Sequence, residues 1–290
     1  MSYVLLTAAH NEEAQIGATV RSVLNQTQLP ESWIIVSDNS CDRTLEVVEN
    51  EIKGSNFIEI ITKNDSSPKA NFASKVMALR IGYERLHGEV FDYIGILDAD
   101  VEVENSYYEK VLREFKKDPN LGIAGGFIHE VNDGKYEKRP FNSVRSVAGG
   151  IQMLRHECYD EIGGFIPFSN GGEDWAAEVM ARMKGWKVQS FPEIRAYHNR
   201  KGRNKRGFLK ECYGQGQRAY AIGSHPVFEI FKFINRLKDR PYFLTSCIRL
   251  FGYTKCCLSR EKRMVSREFV EFLRSEQKKR IKKPIHYRSD

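Results

Sequence analysis

Apolar and polar residues alternate in blocks along the first hundred positions, and the spacing within each block predicts strands and helices in turn. Short continuous apolar runs predict buried strands at residues 3–9, 33–36, 57–61 and 93–97. Apolar residues at helical spacing predict helices between them, over 16–24, 44–51 and about 69–85. Strands that alternate with helices predict an α/β fold whose parallel sheet is covered by helices on both faces.

From Val101 onward the strict alternation ends. The pattern there predicts an amphipathic helix around 107–115, a strand over 121–130, a helix over 174–184 and a strand over 186–200. The last third is predicted to be helical, within 225–240, 241–258 and 264–283. These changes predict three parts of the chain, residues 1–100, 101–206 and 207–290.

Polar loops follow three of the four predicted parallel strands. They read HNEE after the first strand, SDNSCDRT after the second and DAD after the fourth. Ligands of parallel sheets bind beyond the carboxyl ends of the strands, so these loops predict a binding site at one edge of the sheet. The alternative is that Asn11, Ser40 or Asp42 only caps the helix that follows.

The fourth predicted strand ends on two carboxylates, Asp98 and Asp100, which are separated by one alanine. Residues two apart at a strand end project to the same side. Uncompensated charges at a buried strand end cost several kcal/mol each, so a positive partner is expected. Hard carboxylate oxygens suit Mg²⁺ or Mn²⁺, which bind through one or two carboxylates and the phosphates of a substrate. The sequence therefore predicts a divalent cation that holds a diphosphate.

The net charge of +7 is unevenly distributed along the chain. Residues 199–290 contain 24 Lys and Arg against 8 Asp and Glu, whereas residues 1–198 contain 21 against 30. The acidic first part argues against nucleic acid as the main ligand, and the basic last part predicts contact with an anionic group. Two interpretations of the last helices stay open. They pack on the rest of the protein, or their aromatic residues enter an anionic membrane surface that holds the basic residues 278–283.

Neither a membrane-spanning run of about 20 apolar residues nor a signal peptide is recognisable in the sequence. The six cysteines form no C-x-x-C pair, which favours reduced thiols. A cytoplasmic protein is therefore expected, located at the inner face of the cell membrane if the second interpretation of the helices holds.

Five motifs occur in a fixed order: TAAHNEE, VSDNSCDRT, LDADVEVE, IGGF and GGEDWAAEVMARMKGWKV. Together they resemble the motifs of family-2 glycosyltransferases, over a stretch from Val4 to His198. The resemblance implies the GT-A fold, with a mixed, mainly parallel sheet, followed here by a C-terminal helical extension. It also implies that residues 1–100 bind a nucleotide-sugar and that residues 101–206 bind the acceptor and carry out catalysis.

The resemblance assigns a set of donor-binding residues. Ala8, Asn11 and Glu13 would line the nucleotide pocket, and Asp38 would bind the base or ribose. Asp98 would contact the ribose or the metal. The remaining residues expected to hold the donor are Lys69, Asn71 and Lys75.

The resemblance also assigns the metal ligands and the catalytic acids. Asp100 would bind the metal that bridges the diphosphate, and His198 would contact the metal or the diphosphate. Asp174 would be the general base, with Glu173 placing it or binding the acceptor. The implied reaction is an inverting transfer of one sugar from a UDP- or GDP-sugar to a hydroxyl of a glycan or lipid-linked acceptor, as in polysaccharide biosynthesis.

The sequence departs from the family pattern at several positions. Ser37 replaces the first aspartate of the second motif, and Asn39 stands where glycine is common. His10 replaces the aromatic residue that stacks on the base. The Q-x-x-R-W motif of processive members is missing, although Gln217 and Arg218 lie in a similar context. Its absence favours the transfer of a single sugar over polymerisation.

Two other functions remain as alternatives. A sugar-nucleotide nucleotidyltransferase uses a similar sheet and metal, but it needs a glycine-rich, basic loop after the first strand, and HNEE has neither glycine nor Lys or Arg. The other alternative is a non-catalytic module whose basic helices bind nucleic acid or a membrane.

Overall fold

The computed structural model describes residues 1–64, 71–132, 135–140, 142–198, 205–237 and 243–282. The chain divides into two compact units. The first, here called the sheet unit, comprises Met1–Ser169 and Glu173–Lys201, and the second, the helical unit, comprises Asn170–Gly172 and Gly202–Asp290. The assignment of residues 1–100 to the donor and 101–206 to the acceptor stays a prediction.

The first half of the sheet unit is a parallel sheet connected by helices, as the alternating pattern predicted. Its strands are β1 (Tyr3–Ala9), β2 (Ser32–Asp38), β3 (Ile58–Lys63) and β4 (Tyr93–Ile96). The helices between them are α1 (Ile16–Leu24), α2 (Thr44–Glu51) and α3 (Phe72–Arg85). The strands lie in the order β3-β2-β1-β4 with every neighbouring pair parallel, so the carboxyl ends of all four meet at one edge.

The second half of the sheet unit extends the same sheet with strands of both directions. Its elements are β5 (Val101–Val103), α4 (Tyr107–Lys117), β6 (Leu121–Asn132), β7 (Lys135–Lys138), a 3-10 turn (Gly149–Ile151), β8 (Met153–Arg155), α5 (His156–Ile162), α6 (Glu173–Met183) and β9 (Lys187–His198). The sheet continues in the order β4-β8-β6-β9-β5, and β7 pairs with β6. The sequence pattern did not reveal β5, β7, β8 or α5, because elements of three to seven residues are too short to show a period.

The core of the sheet unit is built on the parallel strands, because both of their faces are covered. Leu5, Ile34 and Ile94 are completely or almost completely buried. Trp33 is buried as well, and its indole Nε1 donates a hydrogen bond of 3.0 Å to the Thr7 hydroxyl. Continuous burial of this kind is typical of parallel strands, whose apolar runs face helices on both sides.

Two glycines in β6 allow its close packing against neighbouring segments. A Cβ atom on Gly126 would lie 2.3 Å from the carbonyl oxygen of Ile194 in β9, and one on Gly125 would lie 2.4 Å from a Val147 methyl carbon. The pairing of β6 with β9 shifts register between Gly125 and Phe127. Lack of a side chain therefore allows β9, which carries His198, to approach β6 at this bulge.

The helical unit contains α7 (Lys205–Ala221), α8 (Pro226–Asn235), α9 (Leu244–Leu258) and α10 (Arg267–Lys282). Glycines allow α7 and α9 to pack closely, because a Cβ on Gly216 would lie 2.0 Å from the Arg249 carbonyl oxygen and one on Gly252 would lie 2.4 Å from that of Tyr213. The sequence predicted helices in the regions of α8, α9 and α10 but not α7, whose three glycines lower helix propensity. Across the part of the chain that the structure describes, no helix combines the length and apolar content needed to cross a membrane.

The Gly126→Ala substitution tests the tight β6–β9 packing. The added methyl group would meet backbone rather than a movable side chain, so we expect the free energy of unfolding to fall by about 2 kcal/mol or more. Urea unfolding followed by circular dichroism would measure this change.

Gly17→Ala in α1 is the matched control in the same unit. A Cβ there would lie 3.2 Å from a Val47 side-chain atom that can move, and alanine favours the helix, so a change within about 1 kcal/mol is expected. Equal stability of the two variants would contradict the packing argument.

Candidate active site

The loops after β1 and β2 are joined by side-chain hydrogen bonds. The His10 Nδ1 atom lies 2.6 Å from the carbonyl oxygen of Asp38, and Asn11 Oδ1 accepts a hydrogen bond of 2.8 Å from the Cys41 backbone N–H. Asn11 and Asn39 both have a φ of 53°, a left-handed conformation that asparagine adopts more readily than most residues. These contacts fix the shape of the sheet edge where the sequence predicted a binding site.

The acidic side chains in these loops also connect one loop to the other. Glu13 Oε2 accepts a hydrogen bond of 3.0 Å from the Arg43 backbone N–H. The Glu13 backbone N–H donates a hydrogen bond of 3.1 Å to Asp42 Oδ2. The residues at the N-caps of α1 and α2 are Gln15 and Arg43. Of the three residues that the alternative interpretation assigned to capping, Asp42 does accept a hydrogen bond of 3.0 Å from the Thr44 N–H, the first of α2. Asn11 and Ser40 instead make contacts between the two loops.

Asn71 does cap a helix. Its side-chain oxygen accepts a hydrogen bond of 3.0 Å from the Ser74 N–H at the start of α3. This contact gives Asn71 a structural role, and its predicted contact with the donor stays a prediction. Ala8 is half-buried near the end of β1, paired with Val36 of β2. Lys69 lies outside the described residues.

Asp38 is a buried, charged side chain at the carboxyl end of β2. Lys63 Nζ lies 2.7 Å from its Oδ1, the Asn39 amide donates 2.8 Å to the same oxygen, and the Ser74 hydroxyl donates to Oδ2. Burial alone would raise the pKa of Asp38, but the hydrogen bonds and the positive charge of Lys63 lower it below its usual value. Asp38 is therefore ionised and rigidly held. Neither Lys63 nor Ser74 was recognised in the sequence, because nothing in their spacing linked them to Asp38.

Lys75 is the positive centre of a group of carboxylates. Its Nζ lies 2.5 Å from Asp98 Oδ1. Burial would lower the pKa of Lys75, but the charges of Asp98, Glu173 and Asp174 and the hydrogen bond to Asp98 raise it. The ammonium group is therefore charged. It contacts Asp98 at the end of β4 and interacts electrostatically with Glu173 and Asp174 at the start of α6.

Asp100 is associated with a different partner. Its Oδ2 lies 3.0 Å from His198 Nε2, because β5 and β9 pair antiparallel with Val101 opposite His198. From the sequence, a metal ion was expected to balance the negative charges of both Asp98 and Asp100. The structure supplies a protein partner for each, Lys75 for Asp98 and His198 for Asp100.

The Asp100 and His198 donor atoms fit a divalent ion. A carboxylate oxygen and an imidazole nitrogen are both ligands for such an ion, and these two atoms lie 3.0 Å apart, so both would be within reach of one ion. Within the described ranges, no group of three or more His, Cys, Asp or Glu side chains is arranged to hold a metal. An ion at this pair would therefore need further oxygen ligands from a substrate or water.

A glycine pair lies against Asp98, which the resemblance assigns to donor binding, and Asp174, which it assigns to catalysis. A Cβ on Gly149 would lie 2.7 Å from Asp174 Oδ2, and one on Gly150 would lie 2.6 Å from Asp98 Oδ2. The Asp98 N–H also donates a hydrogen bond of 3.0 Å to the Gly150 carbonyl. The 3-10 turn therefore brings Asp98 and Asp174 to opposite ends of one dipeptide. The sequence showed this segment as glycine-rich but did not reveal which residues it would contact.

Glu173 and Asp174 form the first turn of α6. The Asp174 Oδ1 accepts a hydrogen bond of 2.7 Å from the Trp175 N–H, and a carboxylate in this position is favoured by the helix dipole. Glu173 is only 5% exposed. Burial, followed by the charge of Asp174, raises the pKa of Glu173 to about 7. Of the two, Asp174 is the more exposed carboxylate, and Glu173 is a buried carboxyl group with a pKa near neutral pH.

A buried polar network supports the same turn. Glu178 Oε1 accepts hydrogen bonds of 2.6 Å from the Val147 N–H and 3.0 Å from the Ser146 hydroxyl. Gln152 Nε2 lies 3.2 Å from the Val147 carbonyl, 3.4 Å from that of Asp174 and 3.5 Å from Glu178. The network joins α6 to both ends of the glycine turn. Sequence reasoning missed it, although a glutamate among the apolar residues AAEVMA was a signal.

The model of glycosyl transferase family 2 matches residues 5–172 of the chain. This range includes the edge of the parallel sheet, Lys75 and both acids at the end of β4. It stops directly before Glu173 and Asp174, so these residues and His198 lie outside the match.

Two curated relatives carry the same name, poly-beta-1,6-N-acetyl-D-glucosamine synthase. The protein from Staphylococcus epidermidis is 29% identical over 160 residues, which cover 51% of this chain and 36% of the relative. The protein from Staphylococcus aureus (strain COL) is 31% identical over 121 residues, covering 42% of this chain and 27% of the relative. The aligned part therefore spans about a third of the length of these relatives.

Solved structures resemble this one in fold. GalNAc-T7, crystallised with UDP, GalNAc and Mn²⁺, has a TM-score of 0.58 at 16% identity, over 93% of this chain and 56% of that one. Residues 1–349 of S. aureus TarS, in complex with UDP-GlcNAc, give a TM-score of 0.55 at 12% identity, over 89% and 73% of the two chains. At these identities the likeness shows the fold alone.

The Glu178→Gln substitution tests the buried network through its pH dependence. Burial raises the pKa of Glu178 from 4.5 to about 8. A raised folded-state pKa gives stability that is fully present below pH 4.5 and is lost as the pH rises through 8. We therefore expect wild-type stability to fall relative to the variant by about 3 kcal/mol between pH 5 and pH 8.

Urea unfolding at pH 5, 6.5 and 8 measures this difference. Comparison with the variant removes the similar contribution of Glu173, which is present in both proteins. The matched control is Glu49→Gln on α2, the same substitution at an exposed position outside the buried network. A constant difference for Glu178→Gln would show that this carboxyl is not held in a neutral form.

Proposed function

Since this chain belongs to glycosyl transferase family 2, we propose that it transfers one sugar from a nucleotide-diphosphate donor to a hydroxyl of a glycan or lipid-linked acceptor. The family match covers more than half of the chain, and the sequence-based prediction of a family-2 member with the GT-A fold is confirmed. The observation that carries the proposed reaction is the grouping of Lys75, Asp98, Glu173 and Asp174 at the carboxyl end of the parallel strands.

We propose a UDP-sugar as the donor. The support is that two structures of similar fold contain UDP and GalNAc in one case and UDP-GlcNAc in the other. The names of the curated relatives also contain N-acetyl-D-glucosamine, which makes UDP-GlcNAc the first donor to test. A GDP-sugar, the other donor class expected from the sequence, has no such support.

The donor would bind along the edge formed by the ends of β1, β2 and β4. Asp38, which Lys63 and Ser74 keep ionised, would accept a hydrogen bond from the base or ribose. Asn11, Glu13 and Ala8 would line the same pocket, and Asp98 would contact the ribose. Lys75 would lie near the diphosphate, where its charge suits a negative group. Lys69, which the sequence also assigned to the donor, lies outside the described residues.

Asp100 and His198 would hold a divalent ion, Mg²⁺ or Mn²⁺, next to the diphosphate. When bound, the ion supplies positive charge that stabilises the leaving nucleoside diphosphate. The hydrogen-bonded contact between His198 Nε2 and Asp100 Oδ2 keeps the two donor atoms next to each other.

The transfer would proceed with inversion at the anomeric carbon. The acceptor hydroxyl oxygen forms a bond to that carbon, the bond from the carbon to the diphosphate oxygen breaks, and the hydroxyl proton passes to the Asp174 carboxylate. Glu173, which is buried next to Asp174 in the first turn of α6, would help to place Asp174 or bind the acceptor. The glycine turn leaves no side chain between the donor-side Asp98 and Asp174.

The alternatives have less support. A nucleotidyltransferase needs a glycine-rich, basic loop after the first strand, and the segment HNEE after β1 has neither feature. Nucleic acid is not proposed as a partner. A cytoplasmic location stays a prediction.

The Asp174→Asn substitution tests the general base. It keeps the shape of the side chain and the hydrogen bond from Trp175 but cannot take up a proton, so turnover should fall by about 10²- to 10⁴-fold. Binding of UDP, measured by calorimetry, should remain within about twofold of wild type.

Asp160→Asn on α5 is the matched control, because Asp160 is an exposed aspartate whose side chain accepts a hydrogen bond from Tyr83 and lies 3.5 Å from His156 Nε2, away from the candidate site. It should retain wild-type turnover. Full activity of Asp174→Asn, or loss of UDP binding in parallel with activity, would rule out Asp174 as the base.

The Asp100→Ala and His198→Ala substitutions test the metal pair. Each removes one donor atom, so the enhancement of UDP binding by Mn²⁺ should be lost or fall by about tenfold or more, while UDP binding without metal should change little. Calorimetric titration of UDP with and without Mn²⁺ gives this result independently of activity.

Asp160→Ala should behave as wild type in the same titrations. An unchanged Mn²⁺ effect in both variants would place the metal elsewhere or remove it from the proposal. A loss of folding would be detected separately by circular dichroism.

A further inference from the structure

Helix α9 presents an apolar stripe to solvent. Leu244, Phe251 and Leu258 lie seven residues apart and thus on one face of the helix, and Phe251 and Leu258 are 63% and 85% exposed. Cys247 and Thr254, which lie between them on that face, are also exposed and carry no charge. Lys255, which lies four residues after Phe251 and is exposed, is the one charged residue on this face of α9, and the rest of the face is apolar or uncharged.

Helix α8 carries a second apolar stripe. Val227, Ile230 and Ile234 are exposed at helical spacing, and none of the residues of this helix is buried. Its two charged side chains, Glu229 and Lys232, pair with each other at 2.7 Å. Exposed apolar stripes of this kind mark surfaces that are covered by a partner or a membrane.

Basic residues follow the α9 stripe directly. The segment after Leu258 contains Arg260, Lys262 and Arg263, and then Met264, another exposed apolar side chain. Residues 202–290 contain 22 Lys and Arg against 8 Asp and Glu. This charge opposes the close approach of a second copy of the helical unit and favours a surface of negative charge.

The same basic segment borders a cavity of about 680 Å³ in the helical unit. Arg263, Arg267 and Arg274 line it, together with the carboxylates Glu261 and Glu271. Arg267 pairs with Glu271 at 2.8 Å, and Arg263 lies over the ring of Tyr220 at 5.3 Å. The arginines outnumber the carboxylates, so the cavity is suited to a phosphate group.

We propose that the helical unit docks on an anionic membrane surface through the stripes of α8 and α9. The apolar side chains enter the boundary between head groups and acyl chains, and Arg260, Lys262 and Arg263 contact lipid phosphates. This docking is independent of the transfer reaction. It places the protein where a lipid-linked acceptor would be found.

Co-sedimentation with vesicles tests the docking. The full chain should bind vesicles of phosphatidylcholine with 30% phosphatidylglycerol, should bind neutral vesicles of phosphatidylcholine alone much more weakly, and should lose binding as salt increases. In the Phe251→Ser/Leu258→Ser variant, affinity for the anionic vesicles should fall by about tenfold or more. The control Leu29→Ser/Val90→Ser changes two exposed apolar residues of the sheet unit and should bind as wild type.

A second variant tests how much the basic residues contribute to vesicle binding. Weaker binding to anionic vesicles, with a smaller salt dependence, is expected of the variant Arg260→Gln/Lys262→Gln/Arg263→Gln. The control removes three exposed charges from the sheet unit and should change binding little; it is Lys53→Gln/Lys116→Gln/Lys184→Gln. Thermal stabilisation by UDP should be the same in all these variants, so failure of docking would be distinguishable from failure of the proposed activity.

Several outcomes would overturn the proposal. One is that the wild-type protein stays in the supernatant with anionic vesicles. Another is that Phe251→Ser/Leu258→Ser binds as well as wild type. A third is that this variant alters only the association state in solution, measured by light scattering, with vesicle binding unchanged, because a second copy would then cover the stripe.

Discussion

The ammonium group of Lys75 is the interaction on which the candidate site depends. Asp98 lies at the end of a parallel strand and Glu173 and Asp174 begin a helix from a distant part of the chain, and the negative charges of all three act on this one group. Carboxylates gathered in this way repel one another unless a positive charge lies among them. Lys75 supplies that charge from α3, the crossover helix between β3 and β4, so the parallel topology itself delivers the counter-charge to the edge where ligands bind.

Around this ion pair, the backbone is arranged to allow close approach. Gly149 and Gly150 lie against Asp174 and Asp98 at distances that leave no room for a side chain. Gln152 and Glu178 then join the turn to α6. The buried Glu178 is neutral at neutral pH because burial raises its pKa to about 8, and it therefore adds a hydrogen-bonded anchor without a further negative charge.

The two units divide the chemical character of the chain. The sheet unit carries the acidic residues and the candidate active site, whereas residues 202–290 carry most of the excess positive charge and the exposed apolar stripes of α8 and α9. A site for a negatively charged donor in the acidic part requires local positive charge, and Lys63 and Lys75 supply it next to Asp38 and Asp98. The basic part is suited to a surface, and this division is consistent with a transferase that acts on acceptors held at a membrane.

The sequence by itself determined the parallel half of the sheet, the two acids after β4 and the family, because long apolar runs and ordered motifs are local properties of the chain. The tertiary structure alone decided which partners these residues have. Lys63 meets Asp38 and His198 meets Asp100 through strand pairing, and Gly149 and Gly150 meet Asp174 and Asp98 through a turn whose position no periodicity reveals. Residues separated by 25 to 98 positions are brought together by register and packing, and a linear pattern does not contain that information.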